Sequence, residues 1–114
     1  MARPEAIVET YLVEQVELHG GTCEKFVSPN RKNVPDRIVS WGHQTISIPD
    51  KFFGCVRREV WPKVDLVEVK AEGEPCSKGQ LRDHKRRRAM GFRVEVIDTK
   101  AGVDAYIRSV CAAS

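Results

Sequence analysis

Apolar and polar positions along the chain divide it into a helix, a run of strands, a second helix, one more strand and a final helix. Over residues 4–19, Ile7, Val8, Tyr11, Leu12, Val16 and Leu18 include the i, i+3, i+4 spacings of an amphipathic helix. Pro4 suits its first turn and Gly20-Gly21 stops it. Glu5 and Glu9 stand one turn apart and share a face. Residues 22–28 are short, partly alternating and bounded by glycines and Pro29, which predicts a strand. The polar stretch 29–35 predicts a loop, and 37–41 a second strand. The pattern is weakest over 42–63, where 45–48 predict a short strand. Residues 64–70 alternate with period two, carry charges at 65, 68 and 70, and predict a strand entering a polar edge. After a loop at 71–77, Ser77-Lys78-Gly79-Gln80 has the S-x-x-Q form of a capping box. A helix is therefore expected over 78–90, ended by Gly91. Residues 92–98 alternate as a strand, and 101–112 place Val103, Ile107 and Val110 on one helical face. Consecutive strands suggest an antiparallel meander, and the late β-α-β segment a parallel crossover. A mixed sheet flanked by helices follows, in an α/β or α+β fold.

Composition narrows the class. The 114 residues, 41% hydrophobic and 31% charged, suit a single folded domain over 1–114, with no linker or repeat. No run of 18 apolar residues exists, so no membrane span is expected. The glutamate-bearing N-terminus lacks the apolar core of a secretory signal, which points to the cytoplasm. Cysteines 23, 55, 76 and 111 have no CxxC spacing and are expected as free thiols serving as small core residues. The net charge of +3 is unevenly spread: residues 1–24 hold five glutamates against Arg3, while 78–88 hold six basic residues against Asp83. A basic run of this kind is either a solvated helix face or the footprint of a nucleic acid.

The strongest chemical feature is Glu68-Val69-Lys70. Residues two apart on a strand share a face, so a carboxylate and an ammonium stand side by side. An aspartate from a neighbouring strand would complete the set, and both Pro35-Asp36 and Pro49-Asp50 offer one. Converging carboxylates repel unless a cation lies between them. Oxygen ligands suit Mg²⁺ or Mn²⁺, which can stabilise charge on a phosphate while the lysine orients the attacking water. The simpler alternative is a surface ion pair between Glu68 and Lys70 on an exposed strand.

The PD…ExK pattern resembles the PD-(D/E)XK nuclease superfamily. More narrowly, the chain resembles the small stand-alone VRR-NUC (virus-type replication-repair nuclease) proteins of phages and bacteria. The residues that carry this are Gly20-Gly21, Lys25 through Pro29, Val34 through Val39, Val67 through Lys70, Ser77 through Gln80, and Gly91-Phe92 with Val94 through Asp98. Their order spans nearly the whole chain. The resemblance implies a restriction-endonuclease-like αβββαβ core and a metal-dependent, structure-selective DNA endonuclease. Its substrate would be branched DNA such as a Holliday junction, cut by a homodimer in a bacterial or phage-infected host cell. A catalytically silent DNA-binding module of the same fold is the alternative.

Carried onto this sequence, the resemblance makes Asp36 and Glu68 metal ligands, with the Val69 carbonyl as a third oxygen and Lys70 as the catalytic lysine. Gln80 would border the active site, although it is also the third residue of the capping box. The helix-1 carboxylate would be Glu9, eleven residues before Gly20, with Glu5 as the alternative. Asp36 is preferred to Asp50, whose Pro-Asp context suits a turn. Arg31, Lys32, Lys78, Arg82, Lys85 and Arg86 are the expected phosphate contacts. His43 and His84, which lack a metal-ligand pairing, are expected as surface or packing residues.

Two features depart from the family. Asn33 stands where relatives carry glycine, and asparagine is the residue next best suited to positive φ. Residues 42–63 replace a short hairpin with a longer connection holding Phe52, Phe53, Arg57, Arg58 and Trp61. That connection is a candidate substrate flap or dimer contact, with extra packing the favoured role for its aromatics.

Overall fold

The computed structural model describes residues 3–27, 33–42, 44–60 and 63–112, with backbone alone for 44–48, 57–60 and 112. Arg31, Lys32, His43, Trp61 and most of the expected 29–35 loop lie outside the described residues. In chain order the elements are α1 (Pro4–Leu18), β1 (Gly21–Lys25), β2 (Arg37–Trp41), β3 (Gln44–Asp50), β4 (Gly54–Val60), β5 (Lys63–Val69), α2 (Lys78–Ala89), β6 (Arg93–Ile97) and α3 (Lys100–Ala112). The fold is α+β, with a mixed four-stranded sheet in the order β1-β2-β5-β6. The β1/β2 and β2/β5 pairs are antiparallel. β5 and β6 run parallel, with α2 as their crossover.

Alternation decides which side of the sheet each residue serves. Val39, Trp41, Val67, Val69 and Ile97 meet Val8, Leu12 and Val16 of α1 and Val103, Tyr106 and Ile107 of α3 in one apolar cluster. Asp65 is buried on β5 because Tyr106 Oη donates to its Oδ2 at 2.5 Å and accepts from Trp41 Nε1 at 3.1 Å. A buried carboxylate without such a partner would be costly. The positions between them, Leu66 and Glu68 on β5, are buried as well, as is Val94, which pairs with Leu66 across β5/β6. β5 is therefore an interior strand, third of four in the sheet, rather than a polar edge. Its charges reflect specific partners and not solvent.

The 42–63 connection forms a second, two-stranded antiparallel sheet from β3 and β4. Only part of β3 was legible in sequence, because Cys55-Val56 and Arg57-Arg58 break the alternation over β4. Asp50 Oδ1 closes the hairpin tip by accepting from the Phe52 and Phe53 N–H groups at 2.8 and 3.0 Å. Gly54 follows with φ of 79°, a conformation that favours glycine. Phe52 and Phe53 are 79% and 82% exposed, so the packing role expected for them is not found. Cys23 is buried, but Cys55 and Cys111 are exposed, which corrects their expected place in the core.

Candidate active site

The β2/β5 register builds the centre of the site. Arg37 pairs with Val67, so one further step along the antiparallel ladder places Asp36 opposite Glu68. Asp36 Oδ1 accepts from the Val69 N–H at 3.0 Å, which pins its carboxylate to β5. From the other side α1 brings Glu5 and Glu9. Carboxylate oxygens of Glu5, Glu9 and Asp36 all lie within 4.8 Å of one another. Both helix-1 glutamates thus reach Asp36. Glu9 is also ion-paired to Arg37. Glu68 is not a member of that close triplet, although the charges of Asp36 and Glu5 act on its carboxyl.

Electrostatics records the crowding. Burial, and then the charge of Asp36, push the Glu68 carboxyl up to about 7, while Lys70 acts in the opposite direction. Burial also raises Asp36, with the charges of Glu9 and Glu5 adding to it and the Val69 N–H opposing. A group of carboxylates held against their own repulsion in a partly buried place can receive a cation.

Lys70 follows β5 directly, its N–H donating to the Ile97 carbonyl at 2.9 Å. Its Nζ lies 3.4 Å from Glu74 Oε1, on the loop beyond. With Glu68 only 5% exposed, the two do not form a surface ion pair. Val69 sits between them with its side chain in the core.

Gln80 serves two ends at once. Its N–H donates to Ser77 Oγ at 3.1 Å and its Oε1 accepts from the Ser77 N–H at 2.9 Å, which completes the capping box. Its Nε2 donates to Glu68 Oε1 at 3.3 Å. The cap and the contact with the site are therefore two ends of one side chain. Asn33 adopts φ of 67°, as its place in the loop before Asp36 requires. Its side chain lies against Gly79, where an added Cβ would come within 2.4 Å of Asn33 Nδ2. The loop before Asp36 and the start of α2 are thereby packed together.

One residue that the sequence did not bring forward stands beside the site. His84 is fully buried, and its Nε2 is 3.6 Å from Glu68 Oε1. It is a buried neighbour of Glu68 and not a surface residue. The available signal was its spacing: His84 is four residues after Gln80, hence on the same helical face.

Among the expected phosphate contacts, Lys78, Arg82 and Lys85 are exposed. At 3.6 residues per turn they occupy the side of α2 opposite Gln80 and His84. Arg86 is half-committed, with its guanidinium 2.9 Å from Asp83 Oδ1. Arg87 also bonds Asp83, and Arg88 donates to the Val94 carbonyl. Much of the basic run thus has structural partners. Asp50, the rival aspartate, is held in the turn of the separate hairpin.

Acidic residues from a first helix, from the start of one core strand and from its neighbour, followed by a lysine, define the PD-(D/E)XK class of nucleases. A solved VRR_NUC domain matches this chain with a TM-score of 0.72 and 29% identity, covering 94% of this chain and 97% of that one. Among curated proteins, "Putative nuclease p44" of Acyrthosiphon pisum secondary endosymbiont phage 1 is 38% identical over 96 residues, which is 84% of each chain. No family model matches the chain. The chain belongs to the VRR-NUC nuclease family.

Proposed function

We propose that this protein is a divalent-metal-dependent DNA endonuclease that hydrolyses phosphodiester bonds in branched DNA such as Holliday junctions. The carrying observation is Asp36 set opposite Glu68 on neighbouring strands, with Glu5 and Glu9 of α1 converging on the same aspartate. Membership of a nuclease family supports the reaction class, and the basic residues support a polyanionic substrate. The 114 residues act as one nuclease unit, in the cytoplasm of a bacterial or phage-infected host cell. A homodimer suits a symmetric four-way junction, which needs two cuts.

The residues fit a hard cation. Their donors are carboxylate oxygens, and like charges this close call for a positive partner. Asp36, Glu68, Glu9 and the Val69 carbonyl would hold Mg²⁺ or Mn²⁺, with Glu5 beside them. When bound, the ion supplies Lewis-acid stabilisation of the charge that develops on the phosphate oxygens. Lys70 leaves Glu74 to orient the attacking water and to offset negative charge on the scissile phosphate. Gln80 steadies Glu68 through its Nε2 donor. Lys78 and Arg82, with Arg31, Lys32, Lys85 and Arg86, contact phosphates and position the duplex without reading its sequence.

Glu68→Ala tests this assignment. Cleavage of a labelled four-way junction in Mn²⁺ is expected to be lost, with binding of the same junction in EDTA retained. Cleavage by that variant at the wild-type rate contradicts it. A wild-type protein that binds DNA but cuts no substrate in either metal instead identifies a silent binding module.

A further inference from the structure

We propose that His84 is a positioning residue that works with Gln80 to orient the Glu68 carboxylate toward the divalent cation, an inference that rests on the nuclease reading above. The ring is completely buried, and neither of its nitrogens has a hydrogen-bond partner among the described residues. Buried polar atoms are nearly always satisfied, so this one needs an explanation.

The neighbour that Nε2 addresses is Glu68 Oε1, at 3.6 Å. That distance is just beyond a hydrogen bond, and contacts of this kind commonly tighten only when a site is loaded. The same oxygen already accepts from Gln80 Nε2 at 3.3 Å. Gln80 and His84 are four residues apart on α2, so the helix presents two donors to one oxygen of one carboxylate. With Oε1 held by α2, the second oxygen of Glu68 is left for the cation. The tautomer this requires carries its proton on Nε2. The capping box at Ser77 fixes the start of the helix and sets the register of both donors.

Groups that orient a ligating carboxylate are worth about ten- to one-hundred-fold in metal affinity or activity. Mn²⁺-induced thermal stabilisation, measured without DNA, reads this directly on the wild type, His84→Leu and His84→Gln. His84→Leu keeps the volume and removes the donor. It is expected to need about ten-fold or more Mn²⁺ to reach half of the thermal shift. Its kcat is expected to fall with the KM for DNA unchanged, and DNA binding in EDTA should match the wild type. His84→Gln, which keeps an N–H donor, should recover part of the loss.

A His84→Leu protein with wild-type Mn²⁺ dependence and kcat, and only a lower melting temperature, overturns the proposal and leaves His84 a packing residue. If His84→Leu does not fold, His84→Asn, whose donor is too short to reach Glu68, is held to the same outcomes. A wild type with no Mn²⁺ shift overturns the inference outright. A wild type that gains the shift and loses it in His84→Leu, yet cuts no DNA, sinks the nuclease reading and leaves His84 in its place beside the cation.

Discussion

Glu68 carries a charge that its surroundings resist. Its carboxyl titrates at about 7 in the fold against an ordinary 4.5, first because it is buried and then because Asp36 is near. Between those values the folded chain holds a proton that the unfolded chain releases. Stability from this group is therefore fully present below about 4.5 and is lost as pH rises through about 7. Chemical denaturation in metal-free buffer tests the sign. Relative to Glu68→Gln, which cannot titrate there, the wild type should lose stability between pH 5 and pH 8. A difference between the two proteins that stays constant over that range contradicts the account. At this scale Glu68 and Lys70 stood out through a short motif with a stated chemical reason, while Asp36 over Asp50 and the site role of Gln80 came from the family resemblance. A histidine inside a basic run carries no mark of burial, which hid the place of His84, and Glu9 was preferred to Glu5 on spacing alone although both share one helical face and both reach Asp36.

Among the elements, α2 links folding to the site. Its cap is a reciprocal pair between Ser77 and Gln80, and the same glutamine reaches Glu68. Ser77→Ala should cost about 1 kcal/mol in urea unfolding. Cleavage should fall as well, because Gln80 loses the bond that sets its position. Ser77→Asp, itself a good cap, should restore the stability. An alanine variant with unchanged stability would mean that the cap contributes nothing here. The β3/β4 hairpin makes the opposite case. Replacing both Phe52 and Phe53 with alanine should change stability by less than about 0.5 kcal/mol, since both rings are exposed. A larger loss in denaturant unfolding would show that they pack after all. The helices and the β1, β2 and β6 strands followed from periodicity, and S-x-x-Q located the start of α2. β4 escaped because its apolar residues do not alternate. β5 reads as an edge in sequence because Asp65 and Glu68 look solvated, whereas the fold supplies Tyr106 to one and Gln80 with His84 to the other.

Over the whole molecule, the site exists only through topology. Its acidic residues come from α1, from the residue before β2 and from β5: Glu5 and Glu9 reach Asp36, and the β2/β5 pairing sets Asp36 opposite Glu68. The order of these pieces along the chain, together with the PD and ExK spacing, made the family legible before any geometry. Burial, register and the separate hairpin needed the folded structure. A net charge of +3 coexists with a cluster of carboxylates at the site, and in the proposed reaction a divalent cation would offset them as a scissile phosphate approaches. The most direct test of that claim is cleavage of a synthetic four-way junction beside linear duplex, single-stranded and flap DNA, each in Mg²⁺, Mn²⁺ or EDTA. The account predicts symmetric cuts at the junction that need the metal and vanish in EDTA. Cutting that persists in EDTA, or no cutting of any substrate in either metal, would contradict it.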